Sequence, residues 1–148
     1  MMNYKTCIDE LLKNFPDFQD AFDAHVKDWD DYDASKRSFF LDLDSFRSFI
    51  SKKLEKDESY DYKKVFDFIE KLVVNGDESV STAATTGFLE DLVNLSSNGR
   101  FPSRSFTKYL GPESKAYCIA WDEFTGVKTD GLYDECKSEP KTSSKDVS

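Results

Sequence analysis

From Tyr62 onward the chain repeats apolar residues at a helical interval. Tyr62, Val65, Phe66, Ile69, Leu72 and Val73 recur every three or four positions before Asn75-Gly76. An α-helix, with about 3.6 residues per turn, gathers such positions on one stripe. The same spacing returns in Val80, Ala83, Ala84, Phe88, Leu92 and Val93, whereas no stretch alternates apolar and polar residues over the length of a strand. A chain built from such stripes buries them helix against helix. The expected fold is therefore all-α: a single-domain stack of about seven antiparallel helices in a HEAT-like α–α arrangement, without a clear internal repeat.

The remaining segments fit this plan. Asn3 to Asn14 reads as a first helix with Ile8, Leu11 and Leu12 on one face. Pro16 suits the first turn of a second helix, with Phe15 positioned to staple its entry. Four aspartates in the run Asp28-Trp29-Asp30-Asp31-Tyr32-Asp33 offer the backbone local side-chain bonds that compete with a helix, so this run reads as a loop. Asp42 or Asp44 is the expected cap of a third helix. Asp77 starts the fifth helix, Phe101 to Leu110 makes a short sixth, and Pro112 opens a seventh that Gly126 ends. Ala116, Tyr117, Ala120, Trp121 and Phe124 mark the expected buried face of the seventh, and Phe66, Ile69, Phe88, Leu92 and Trp121 are the strongest core positions. Residues 1–133 form the expected domain, and the polar residues 134–148 a disordered, flexible tail.

Thirteen Phe, seven Tyr and two Trp in 148 residues supply a core that needs no metal or disulfide staple. Cys7 and Cys118 fall within helical apolar patterns and are expected as reduced core thiols, while Cys136 falls in the polar tail as an exposed one. No apolar run reaches the length of a membrane span and the N-terminus lacks the pattern of a secretory signal, so the expected location is the cytoplasm.

Charge is unevenly distributed. The net charge is −9, and residues 1–34 alone, with nine acidic and three basic side chains, carry −6 of it. Residues 77–99 hold four acidic side chains and no basic one. Such a field repels nucleic acid and anionic membranes and attracts basic proteins.

Residues that could carry chemistry are sparse. The single histidine, His25, has no partner in a recognisable catalytic or metal-binding pattern and is expected to be packed or half-exposed. CxxC, GxxxxGK and GxGxxG are all missing, and Asp28 to Asp33 lacks the glycine and the final glutamate of a calcium loop. Acidic residues interrupt the Lys52-Lys53 and Lys63-Lys64 clusters, which breaks up any nucleic-acid face. The expectation is a non-enzyme without cofactor or metal. The best candidate for a contact surface is Asp28, Trp29, Asp30, Asp31, Tyr32 and Asp33, where aspartates steer a basic partner and the two aromatics supply rigid contact area.

One set of segments resembles a known family. Phe68-Ile69-Glu70-Lys71-Leu72, Gly76-Asp77-Glu78, Thr86-Gly87-Phe88-Leu89-Glu90, Leu110-Gly111-Pro112-Glu113-Ser114 and Trp121-Asp122-Glu123-Phe124 follow one another in this order. Their succession, over roughly residues 62–126, is similar to small helical bacterial proteins found beside polymorphic and contact-dependent growth-inhibition toxins. The resemblance implies an immunity protein, which binds a cognate toxin domain, often a basic nuclease, and blocks it; the helical fold itself is expected to be monomeric. It carries over no functional residue. An acidic nucleic-acid mimic, another protein-interaction module, and a small enzyme without a recognised motif are the alternatives.

Overall fold

A computed structural model describes residues 1–133, and within them the fold is all-helical. The helices are α1 (Tyr4–Asn14), α2 (Gln19–Asp33), α3 (Phe39–Glu55), α4 (Tyr62–Asn75), α5 (Glu78–Thr82), α6 (Glu90–Ser97), α7 (Arg104–Thr107) and α8 (Pro112–Thr125). A π-helical segment, Ala83–Leu89, joins α5 to α6 without leaving helical backbone, so the three run as one rod and the described residues form seven helices. The only strand-like contact among them is a bridge between Met2 and Gly76. No described helix is long and apolar enough to cross a membrane. The tail expected at 134–148, with Cys136, lies outside the described residues.

Side-chain caps set most helix starts. The side chains of Asn3, Asp61 and Asp77 accept from the backbone N–H groups of Thr6, Lys64 and Val80. Helix α3 departs from expectation, because Ser38 accepts from the Leu41 N–H and starts the helix ahead of Asp42 and Asp44. Asp42 then falls inside the first turn and is fully buried. The sixth helix expected over Phe101 to Leu110 shrinks to Arg104–Thr107.

The core is built on phenylalanine. Phe46 of α3 lies 5.0 Å from Phe15, 5.1 Å from Phe18 and 6.1 Å from Phe88, measured between ring centroids. Phe88 in turn meets Phe66 of α4 at 6.1 Å, edge to face. The π-helical segment packs against α3, α4 and α8, which explains why Gly87, Phe88 and Leu89 are buried in succession. Phe66, Ile69, Phe88 and Leu92 are buried as expected, whereas Trp121 is only half-buried.

The register of α8 also differs from expectation. Ser114, Cys118 and Asp122 face inward, Ala116 and Ala120 are exposed, and Phe124 is 82% exposed. The cause is Asp122, whose buried carboxylate accepts from the Thr129 N–H at 2.7 Å, the Thr129 hydroxyl at 2.6 Å and the Tyr133 hydroxyl at 2.8 Å. These bonds fold residues 127–133 back over the helix and turn Phe124 outward.

The N-terminus of α8 is capped from another helix. Glu70 of α4 accepts from the Glu113 N–H at 3.0 Å, the Ser114 N–H at 2.8 Å and the Ser114 hydroxyl at 2.7 Å. The carboxylate thus satisfies orphan N–H groups at the positive end of the helix dipole. Gly111 makes room for it, since a Cβ there would lie 2.5 Å from Glu70 Cδ. Replacing Glu70 with Ala is expected to cost about 2 kcal/mol in urea unfolding, and Glu70→Gln, which keeps one acceptor oxygen, less.

Cys7 and Cys118 are buried free thiols. Burial first, then Glu10 and Asp77, push Cys7 up to about 11. Burial, then Asp122 and Glu90, push Cys118 up to about 12. The ordinary value for both is 9.0. A raised folded-state pKa means the fold holds its proton after the unfolded chain has released it. The resulting stability is complete below about pH 9 and is lost as pH rises through the folded values. Urea midpoints are expected to fall above about pH 9, less steeply in Cys118→Ala than in the parent.

Candidate protein-binding surface

The expected loop at Asp28–Asp33 is instead the last part of helix α2. Phe22 is buried, and His25, Val26, Trp29 and Asp33 are half-buried at helical spacing along the same helix. Lys27 pairs with Asp31 at 2.7 Å one turn on. Packing of this stripe outweighs the local bonds that four aspartates offer the backbone.

Helical geometry divides the six candidate residues. Asp28, Asp31 and Tyr32 share one face at i, i+3 and i+4, Trp29 and Asp33 turn towards the fold, and Asp30 lies apart. Tyr32 is 72% exposed, with its ring edge-on to Trp29 at 5.8 Å and Lys36 Nζ 5.6 Å from its centre. Asp33 has a structural task, because its Oδ1 accepts from the Ser35 N–H at 3.1 Å and the Ser35 hydroxyl at 2.6 Å. Asp28 has no hydrogen bond or ion pair among the described residues. The last turn of α2 contains no basic residue, so these carboxylates gather at the negative end of its dipole.

A groove of about 530 Å³ runs between α2 and α3 beside this end. Its walls include Ala24, His25, Asp28 and Trp29 from α2, and Asp44, Arg47 and Ser48 from α3. Under it lies a polar cluster that sequence reading missed. Asp42 accepts from the Tyr4 hydroxyl at 2.5 Å and bonds His25 Nε2 at 2.8 Å. Arg37 Nε lies 3.2 Å from Asp42 Oδ1 as an ion pair, without hydrogen-bond alignment, and the Arg37 guanidinium also donates to the Tyr4 hydroxyl at 3.4 Å. Burial and the bond to Asp42 raise the Tyr4 pKa. The contact with Tyr4 and the charge of Asp42 raise that of Arg37 against its own burial. These four residues lie far apart in sequence, and no spacing rule brings them together. Among the described residues no group of three or more His, Cys, Asp or Glu is placed to hold a metal.

The second acidic block is largely engaged within the fold. Asp77 caps α5, Glu90 accepts from the Tyr117 hydroxyl, and Asp91 lies 3.8 Å from Arg47, which also holds Asp44 at 3.1 Å. Burial, then a hydrogen bond with Asp44, raises the pKa of Asp91.

Carboxylates at the end of α2 oppose the helix dipole and one another. Replacing Asp28 and Asp30 with Asn is expected to raise stability by about 0.5 kcal/mol, read as a higher urea midpoint that shrinks in high salt.

Among known proteins, no curated protein and no solved structure matches the chain. Residues 8–126 match a family described as a domain of unknown function, DUF7674. The match takes in all of α2 through α8, and with them the acidic helix end, the groove and the Glu70 cap. The chain belongs to the DUF7674 family.

Proposed function

We propose that this chain is an immunity protein, a non-enzymatic inhibitor that binds a basic toxin domain in the cytoplasm and covers the surface where the toxin's substrate must bind. The observation that carries the reading is the C-terminal end of α2. Several carboxylates, among them the unpaired Asp28, and an exposed tyrosine braced on a half-buried tryptophan meet there beside an open groove. The net charge of −9, with −6 in the first 34 residues, adds long-range steering towards a basic partner. Tyr32 and Trp29 then contribute the desolvated contact that slows release. A nuclease toxin fits this chemistry, because its nucleic-acid surface is basic and inhibition needs only that the surface be occupied. A long phosphate-like face is less well supported, since three of the four carboxylates of residues 77–99 are committed to a cap, a hydrogen bond or an ion pair.

The test uses a toxin domain encoded beside members of the family, co-expressed with the chain. Asp30→Asn with Asp31→Asn is the informative variant; Asp33 is left in place because it holds the turn after α2. Association is expected to slow as salt rises, since exposed charges are screened within about 8 Å at physiological ionic strength. The double variant is expected to bind about tenfold more weakly with unchanged helicity and to protect cells poorly at low expression. Protection equal to the parent's at low expression would remove the acidic helix end from the interface.

A further inference from the structure

We propose that the groove between α2 and α3 receives an arginine side chain of the basic partner, held by Asp28 and Asp44 against the Trp29 indole. This rests on the protein-binding reading above and names the group that enters. The space exists because short side chains line it: Ala21 and Ala24 on α2, Ser45 and Ser48 on α3. Its charges are unbalanced at one end. Asp28 has no ion pair among the described residues. Across the groove, Asp44 holds Arg47 through Oδ1, at 3.2 and 3.1 Å, and also meets Asp91, which shares Arg47. Two carboxylates therefore divide one guanidinium while a third has none, and one further cation would reduce the excess. Lys52 also lines the groove, but about two turns along α3 from Asp44.

The chemistry favours arginine over lysine. A guanidinium is planar, donates in several directions at once and stacks on an indole, so one group can meet carboxylates on both walls and the Trp29 ring together. An ammonium is a compact, strongly hydrated charge that gains less from the flat aromatic surface.

The probe is N-acetyl-arginine methylamide, titrated into the full chain and followed by NMR at the indole N–H signals, with the lysine counterpart as comparison. The Trp121 indole, which donates to Asn94, serves as internal control. The expected result is a saturable shift confined to Trp29 and its neighbours, several-fold stronger for arginine and several-fold weaker in Asp28→Asn, a change that removes no contact within the fold. Absence of a saturable Trp29 shift, an equal response to the lysine probe, or shifts spread along all acidic surfaces would each overturn the proposal. If the probe fails while Asp30→Asn with Asp31→Asn still abolishes protection, the groove inference falls and the immunity reading stands. If the probe binds as expected while that variant protects fully, the groove remains a guanidinium site and the immunity reading loses its acidic helix end.

Discussion

The carboxylate of Asp42 is the constraint on which the arrangement of the N-terminal half depends. A buried carboxylate without partners costs several kcal/mol, about 3 to 5 when one member of a buried pair is removed. Here the partners come from three other places in the chain: Tyr4 on α1, His25 on α2 and Arg37 in the connection before α3. Satisfying this single group therefore ties α2 and the first turn of α1 to the start of α3. The phenylalanine core beneath supplies most of the burial but little direction, because apolar contact is not directional. The polar cluster supplies the direction. Through His25, which also lines the groove, it holds α2 beside α3.

Buried or half-buried acidic groups do the same work elsewhere. Glu70 ties α4 to the start of α8, and Asp122 ties the end of α8 to residues 127–133. This accounts physically for two of the segments that carried the family resemblance. Glu70 and the run from Gly111 to Ser114 are the two halves of one cap, with glycine required by the close approach of the carboxylate. The acidic composition consequently has two parts. Some carboxylates hold helices together, and others, Asp28 and Asp30 at the end of α2 among them, are left to the solvent.

That division explains what could be read in the sequence. Helix positions and core residues such as Phe66, Ile69, Phe88 and Leu92 were legible because apolar periodicity reports them directly. The start of α3, the register of α8 and the helical state of Asp28–Asp33 were not. Each depends on a polar side chain whose partner is distant or whose local preference is overruled. Asp42 reads as a helix cap until Tyr4, His25 and Arg37 are seen around it. Asp122 falls outside the expected buried face of its helix, yet Thr129 and Tyr133 fold over it. Within the candidate surface, residue types were legible but their grouping was not: Asp33 belongs to the turn, and only Asp28, Asp31 and Tyr32 share a face.

Helix α2 combines a well-anchored base with an electrostatically unfavourable end. Phe22 and the His25–Asp42 bond hold it to the fold, while Asp28, Asp30 and Asp31 crowd the negative end of its dipole, with Lys27 the one cation that α2 itself carries and Lys36 and Arg37 following just after it. A sequence serving stability alone would place lysine or arginine there, as α3 does with Lys52 and Lys53 in its own last turn. The contrast between these neighbouring helices within one chain argues that the acidic end is kept for something other than folding, in line with the general observation that local rules are broken at functional sites. A basic partner would relieve the repulsion on binding, so stability forgone in the free protein would reappear as affinity. Because the base of α2 is fixed by a buried polar cluster, the carboxylates are held in place in the free protein, which would lower the ordering cost of binding a basic partner.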